Sequence, residues 1–321
     1  MSVATKRSVL NPFSGPPELS KAARLRAWWN GVDPKSAAAD PETPDEAPQK
    51  PAAAKADLNE AKEIWTPLDI EVAQMVFGPG FVEPGGAEFV LELVKPFALS
   101  PAMTILNLTA GLGGSSRAIV EELGAWIDGM EPSEALATEA MEQSKMAGLS
   151  KKAPVVHYDP ENLHLPAKKY DCVFARELLY TVENKEQFFK AVVRSLKDVG
   201  QFQFTDFMLS DTGLESDAIA EWQRYEPLRT YLWSVEQYRE FCEELGFDIR
   251  ISKDIGDDYT SHVSARWDEF TSPERVSGMS REMVVTLVDQ AEIWTRRVAA
   301  LKSGDIQLTR FHGLSRRSTV T

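Results

Sequence analysis

A glycine-containing loop follows a short apolar run in the first half of the chain. The segment ILNLTAGLGGSS, residues 105–116, passes from apolar residues into a loop that contains Gly111 and Gly113. Glycine lacks a side chain, so the backbone of such a loop can approach a ligand closely, and a helix that follows offers unpaired N–H groups. The pattern predicts a binding site for a nucleotide-like ligand, with a simple strand-to-helix turn as the alternative.

Acidic residues follow the next two apolar runs. Glu131 ends the second run about twenty residues after the loop, where a carboxylate can accept both hydroxyls of a ribose. Asp159 and Glu161 follow the third run, where an acid can accept the amino group of an adenine. The alternative for Glu131 is a helix-capping acid before Ser133. Together the loop and the acids indicate an adenosine-containing ligand.

These residues require a scaffold that brings the ends of several strands together. The periodicity alternates between helical stripes and β-branched runs, which predicts one α/β domain with a doubly wound, seven-stranded sheet and helices on both faces. Helices are predicted at 60–77, 86–97, 115–124, 133–148, 184–197, 234–245 and 280–302. Strands are predicted at 103–109, 125–130, 154–158, 170–175, 200–206, 247–253 and 306–314. In such a sheet, ligands bind beyond the carboxyl ends of the strands.

The first 58 residues have a different composition from the predicted domain at 59–321. Residues 1–33 contain a short amphipathic stretch at 18–30, which predicts an arm that docks on this domain, on a second copy or on another partner. Residues 34–58 are rich in Ala, Pro and acids, which predicts a disordered linker. A transient helix in a flexible tail is the alternative for the arm.

The overall composition excludes several classes of protein. The chain has 321 residues, 43% of them hydrophobic, and a formal net charge of -14, which argues against nucleic-acid binding. It contains neither a long apolar run nor a secretory signal, so we expect no membrane span and a cytoplasmic location. Its 2 cysteines and 4 histidines show no disulfide framework and no metal-ligand spacing.

Several longer motifs resemble those of class I S-adenosylmethionine-dependent methyltransferases. The segment VFGPGFVEPGG, residues 76–86, is similar to the FGEGFVSTGG lid element of phosphoethanolamine N-methyltransferases and of the related sarcosine and dimethylglycine enzymes. QFTDFMLSD resembles that group's LITDY, and LRTYLWSVEQYREFCEELGF resembles its next strand-forming region. The resemblance covers about residues 65–315. It implies a methyltransferase fold with an N-terminal helical lid, and S-adenosylmethionine as cofactor.

The resemblance also implies roles for individual residues. Gly111 and Gly113 would lie against the methionine part of the cofactor, Glu131 would hold the ribose, and Asp159 with Glu161 would hold the adenine. The remaining cofactor-site positions are Asn107, Thr109 and Arg176. An Arg-x-Tyr pair grips the substrate phosphate in this group; Arg229 and Tyr231 match it, assisted by Arg297 or Arg296. Phe81 and Phe207 stand at substrate positions where the group has aromatic hydroxyls. For Arg229, a surface ion pair is the alternative.

The chain also departs from the group at positions that matter for chemistry. Ala73 and Thr181 stand where the resemblance would place a catalytic tyrosine and histidine. Glu177 and Tyr180 are the candidate catalytic groups that are present; the alternatives are an acid paired with Arg176 and a core tyrosine. Asn107 replaces the usual Asp, and Thr109 replaces the first glycine of the loop. We therefore expect a cofactor site that is weakened but retained.

The sequence leaves two hypotheses of function. The first is a methyltransferase for a small molecule with a phosphate or carboxylate handle, acting on an amine or, alternatively, on a sulfur, oxygen or carbon atom. The second is a non-catalytic protein of the same fold, which binds a partner through residues 18–30, where a homodimer contact is also possible on sequence grounds.

Overall fold

The computed structural model describes residues 64–315 apart from 211–215, 271–274 and 277. The predicted arm and linker, and the start of the predicted domain at 59–63, lie outside the described residues. The α-helices are α1 (Pro67–Phe77), α2 (Gly86–Val94), α3 (Gly114–Leu123), α4 (Glu134–Met146), α5 (Lys185–Ser195), α6 (Asp217–Tyr225), α7 (Val235–Glu244), α8 (Gly256–Phe270) and α9 (Arg281–Ser303). The strands are β1 (Thr104–Asn107), β2 (Trp126–Glu131), β3 (Val155–His157), β4 (Tyr170–Arg176), β5 (Leu196–Leu209), β6 (Phe247–Asp254) and β7 (Ile306–Ser315).

All seven of these strands form one sheet in the order β3-β2-β1-β4-β5-β7-β6. Strands β1 to β5 pair in parallel, whereas β7 runs antiparallel to both β5 and β6. The chain reverses its direction of travel across the sheet after β3, because β4 pairs with β1 on the side away from β2. Such a switch point leaves a crevice beyond the carboxyl ends of β1 and β4.

The sheet has an apolar layer on each face. Alternate residues of a strand point to opposite faces, and Ile105 accordingly belongs to a different buried cluster from Leu106. One cluster joins the sheet to α1, α2, α3, α6, α8 and α9, and the other joins it to α5 and α7. The predicted seven-stranded α/β architecture is therefore confirmed.

The helix boundaries follow local capping chemistry. Pro67 occupies the first turn of α1, and Thr66 forms a reciprocal capping box with Asp69, so this helix begins later than the predicted residue 60. Two helices, α6 and α8, were not predicted. Their inward faces are marked by the buried Trp222 in α6 and Trp267 in α8.

Candidate functional site

The acid at the end of β2 faces the glycine loop. Glu131 Oε2 accepts a hydrogen bond from the Gly111 N–H at 2.8 Å, and its Oε1 accepts one from the Ser133 N–H at 3.1 Å. Gly111 and Gly113 have φ of 54° and 78°, in the left-handed region that favours glycine. A Cβ atom at Gly113 would lie 2.7 Å from the Arg117 guanidinium. The left-handed backbone and the close Arg117 guanidinium therefore favour glycine at Gly113, and the Glu131 carboxylate is bonded directly to the loop backbone.

Asn107 and Thr109 order this loop from within. The Asn107 amide donates to the hydroxyls of Ser115 and Ser116, each at 3.0 Å, and its carbonyl oxygen accepts from the Thr109 N–H at 3.2 Å. The Thr109 hydroxyl accepts from the Arg176 N–H at 2.8 Å, which ties the end of β1 to the end of β4. Asn107 is fully buried. Asn107 and Thr109, which replace the usual Asp and Gly, therefore both stabilise the loop through hydrogen bonds.

The loop after β3 is fixed against the same region. The Tyr158 hydroxyl donates to the Leu108 carbonyl at 2.9 Å, so the loops after β1 and β3 are held together. Asp159 caps the short 3-10 helix that follows, and Glu161 accepts from the backbone N–H groups of residues 183 and 184. Both acids therefore have local partners, because Asp159 also accepts hydrogen bonds from the Glu161 N–H and from the Asn162 side-chain amide.

A segment between α1 and α2, residues 78–86, packs onto the glycine loop. The Gly114 N–H donates to the Gly80 carbonyl at 3.0 Å, and the Gly80 N–H donates to Gln74 Oε1 at 3.0 Å. A Cβ atom at Gly114 would clash with that carbonyl and would lie 2.9 Å from the Phe81 ring. Phe81 therefore belongs to a lid that closes directly over the loop backbone.

Arg176 and Glu177, at the end of β4, connect the lid to the sheet. The Arg176 guanidinium lies 3.2 Å from Glu83 Oε2 and 3.4 Å from Glu177 Oε2, and it donates to the Pro84 carbonyl at 3.2 Å. Glu177 has φ of 42°, which is uncommon for a residue with a side chain and often marks functional sites. Its Oε1 accepts from the Thr205 hydroxyl at 2.6 Å.

Tyr180 belongs to a second buried cluster. Arg297 donates to both oxygens of Glu226, at 2.6 Å and 2.8 Å, and Trp222 Nε1 donates to the same carboxylate at 2.5 Å. The Tyr180 hydroxyl donates to Glu226 at 3.2 Å, and its ring meets that of Phe207 edge-on at 5.2 Å. Burial first, and then the charge of Glu226, raise the pKa of Tyr180 well above its ordinary value. Tyr180 therefore remains a neutral phenol.

The side chains of Arg229 and Tyr231 contact each other and Glu183. The exposed Arg229 stacks over the Tyr231 ring at 5.2 Å, and the Tyr231 hydroxyl donates to Glu183 at 3.2 Å. The Tyr231 N–H donates to the Tyr180 carbonyl at 2.6 Å, so this pair borders the segment after β4. The structure thus brings Arg229 and Tyr231 together, but it gives Arg297 a different partner.

Comparisons with known proteins agree with this geometry. A sequence model of a methyltransferase domain matches residues 106–204. Phosphoethanolamine N-methyltransferase 1 of Arabidopsis thaliana is 26% identical over 212 residues, covering 65% of this chain and 42% of the relative. Sarcosine/dimethylglycine N-methyltransferase of Aphanothece halophytica is 30% identical over 153 residues, covering 46% of this chain and 53% of the relative.

A solved structure extends the similarity over most of the chain. Phosphoethanolamine N-methyltransferase 2 of Haemonchus contortus, in complex with phosphomonomethylethanolamine and S-adenosylhomocysteine, superposes with a TM-score of 0.66 at 21% identity, covering 77% of this chain and 57% of that one. The fold is that of class I methyltransferases. The chain spans about half the length, or less, of the curated relatives described above.

The predicted resemblance to the phosphoethanolamine and sarcosine/dimethylglycine methyltransferases is confirmed by these matches. Within this methyltransferase fold, the described residues contain no group of three or more His, Cys, Asp or Glu that could hold a metal ion. No helix in the described part of the chain is both long and apolar enough to cross a membrane.

The methyltransferase fold also reveals site residues that sequence reasoning missed. Tyr158, Glu83 and Glu226 all contact predicted site residues or the loops that carry them. The sequence could have identified Glu83, because it lies inside the lid motif at a position where the similar element of the methyltransferase group has Ser. The sequence could not have identified Glu226, because its partner Arg297 lies 71 residues away along the chain.

Proposed function

We propose that this chain is an S-adenosylmethionine-dependent methyltransferase that acts on a small molecule. The observation that carries the proposal is the pairing of Glu131 at the end of β2 with the Gly111 N–H of the glycine loop. That carboxylate stands where a ribose is held in folds of this kind. The curated relatives and the family match support the same activity.

The residues present fit the cofactor. Glycines at positive φ shape the loop backbone, and Glu131 adds a carboxylate beside it. Glu131 would accept the ribose hydroxyls, Asp159 would accept the adenine amino group, and the loop at 109–113 would lie against the methionine part. The bound cofactor supplies a methyl group attached to a positively charged sulfur. The lid at 78–86 would exclude water from the reacting atoms.

We infer that the acceptor is an amine that carries an anionic group. The matched relatives are named for amines with a phosphate or a carboxylate. Of the three arginines that the resemblance implies, Arg297 pairs with Glu226 and Arg296 pairs with Glu221 and Glu292, so the exposed Arg229, stacked on Tyr231, is the guanidinium available to that group. An arginine fork suits a phosphate or carboxylate. The handle would therefore be held near the segment after β4, with Tyr180, Phe207 and Phe81 as walls.

Titration calorimetry with S-adenosylmethionine and S-adenosylhomocysteine tests whether the chain binds the cofactor. We expect binding in the micromolar range, and no binding at tens of micromolar would favour the non-catalytic alternative. A labelled-methyl screen of phosphobases, amino acids, thiols and hydroxy acids tests the acceptor. Labelling of amines with an acidic group is expected, whereas exclusive labelling of thiols or hydroxyls would reassign the acceptor atom.

Substitution of Arg229 tests whether this residue binds the anionic group of the acceptor. Arg229→Ala should raise KM for an anionic amine such as phosphoethanolamine by about 10-fold or more, because a charge-assisted hydrogen bond contributes about 1.5–3 kcal/mol. The affinity for S-adenosylmethionine should not change. Arg224→Ala is the matched control, since Arg224 is an exposed arginine of α6 that pairs only with Glu221 among the described ion pairs. Equal KM values for both variants would contradict the assignment of Arg229.

A further inference from the structure

Glu83 is a lid carboxylate that shares one guanidinium with a second acid. Arg176 lies 3.2 Å from Glu83 and 3.4 Å from Glu177, and its side chain is 3% exposed. The Glu177 side chain is 7% exposed, whereas that of Glu83 is 28% exposed. One buried cation therefore faces two carboxylates, of which Glu83 is the more exposed.

Carboxyl groups outnumber guanidinium groups around Glu83. Arg297 is committed to Glu226, through two hydrogen bonds to its carboxylate. The acids that contact these guanidiniums are Glu83, Glu177 and Glu226, and the guanidiniums are Arg176 and Arg297. Buried carboxylates in excess of their cationic partners favour a cationic ligand. An ammonium group meets that requirement, in addition to the positive sulfur of the cofactor.

Two positions of this chain correspond to the catalytic tyrosine and histidine that the resemblance implies. The residues found there, Ala73 and Thr181, cannot accept a proton. Ala73 has no polar side chain and is buried. The Thr181 hydroxyl donates to the Leu178 carbonyl at 2.8 Å. Tyr180 stays neutral through burial, as described above. Glu83 is the group of this chain that lies at the lid, carries a carboxylate and stands where the resembling lid element has Ser.

We propose that Glu83 accepts the proton that an ammonium acceptor must lose before it can be methylated. This inference rests on the proposed function. The proton passes from the nitrogen to a Glu83 oxygen, which leaves the nitrogen with a lone pair. That lone pair forms the C–N bond to the methyl carbon while the C–S bond breaks and its electrons remain on sulfur. Glu83 then releases its proton to water, so charge and atoms balance.

The charged and titratable groups around Glu83 agree with this role. They are Arg176 and Glu177 from the end of β4, Glu131 from the end of β2, Arg297 from α9 and Tyr259 from α8. Burial, opposed by Arg176, raises the pKa of Glu83 to about 8. A general base is most effective when its pKa lies near the working pH. A bound cation would lower this pKa, so cofactor binding should expel a proton.

Glu83→Gln, compared with Glu88→Gln as control, tests the inference. Glu88 is an exposed acid in the first turn of α2, close to the same lid. With phosphoethanolamine as the probe, Glu83→Gln should lower kcat at pH 7 by about 10²–10⁴-fold, the usual contribution of a positioned base. The deficit should shrink to a few-fold near pH 9.5, where the free amine binds directly. Glu88→Gln should behave as wild type.

A binding measurement tests Glu83 without turnover. Titration of S-adenosylmethionine at pH 8 in buffers of different ionisation enthalpy should reveal proton release by wild type and by Glu88→Gln, and much less by Glu83→Gln. Equal proton release by all three proteins, or wild-type kcat and pH profile in Glu83→Gln, would overturn the inference and leave the proposed function intact. Failure of wild type to bind S-adenosylmethionine would overturn both.

Discussion

Arg297 on α9 and Glu226 after α6 form a bidentate ion pair, with N–O distances of 2.6 Å and 2.8 Å. The Glu226 side chain is 1% exposed, and Trp222 donates a further hydrogen bond to it. The pair closes one wall around Tyr180. It also removes Arg297 from the set of cations that could hold an anionic substrate.

Removal of Glu226 should destabilise the fold strongly. Glu226→Ala leaves the Arg297 guanidinium buried without its carboxylate, and loss of one partner of a buried pair costs about 3–5 kcal/mol. Urea denaturation, followed by tryptophan fluorescence, should show this loss in the free energy of unfolding. The control is Glu186→Ala, which breaks an exposed pair with Lys190 and should cost about 0.5 kcal/mol or less. Similar losses in both variants would refute the structural role of the pair.

Glu131 should control cofactor affinity. Glu131→Gln keeps the shape but loses the charge that would accept the ribose hydroxyls, which should weaken S-adenosylmethionine binding by about 10- to 100-fold. Asp128→Asn is the control, because Asp128 lies in the same strand but pairs with Lys169 and Tyr170. Calorimetry should show normal affinity in the control, and a matching loss there would contradict the assignment.

Asn107→Asp should tighten cofactor binding at some cost in stability. The substitution adds a charge near the loop, and the difference between a charged and a neutral hydrogen bond, about 1 kcal/mol, corresponds to about 5-fold in affinity. The new carboxylate cannot donate to Ser115 and Ser116 as the amide does. Calorimetry and thermal melting should therefore move in opposite directions. Unchanged affinity would show that this position affects only the order of the loop.

The fold should become less stable as the pH decreases, because His312 is buried as a neutral ring. Burial, with Arg310 and Arg250 nearby, lowers the pKa of His312 from 6.5 to about 4, and its ring pairs with Gln201 at 2.9 Å. The folded state therefore holds this ring neutral, so its contribution is complete above pH 6.5 and is lost as pH falls toward 4.

His312→Gln should flatten this dependence. Urea midpoints measured between pH 7 and 4 should drop less in His312→Gln than in wild type. His157→Gln, at an exposed residue of β3, should retain the wild-type slope. A wild-type slope in both variants would assign the acid sensitivity to other groups.

The sequence determined the architecture because its signals are local. Apolar runs separated by helical stripes predicted each of the seven strands, and the glycine loop and the acid Glu131 follow directly from two of them. The structure places these residues together because parallel strands end at one edge of the sheet. Helix α1 begins at Pro67 and not at the predicted residue 60, because Pro67 and the Thr66 cap fix its start. Hydrophobic periodicity does not specify such a cap.

Only the tertiary structure decided which charges meet. Arg297 and Glu226 are 71 residues apart, and Arg176 at the end of β4 reaches Glu83 in the lid, so no sequence window contains either pair. Sequence pattern specifies which segments are buried, since burial follows from local periodicity. The partner of a buried charge depends on how distant segments pack, and here that packing assigns Arg297 to Glu226 and brings Glu83 to Arg176.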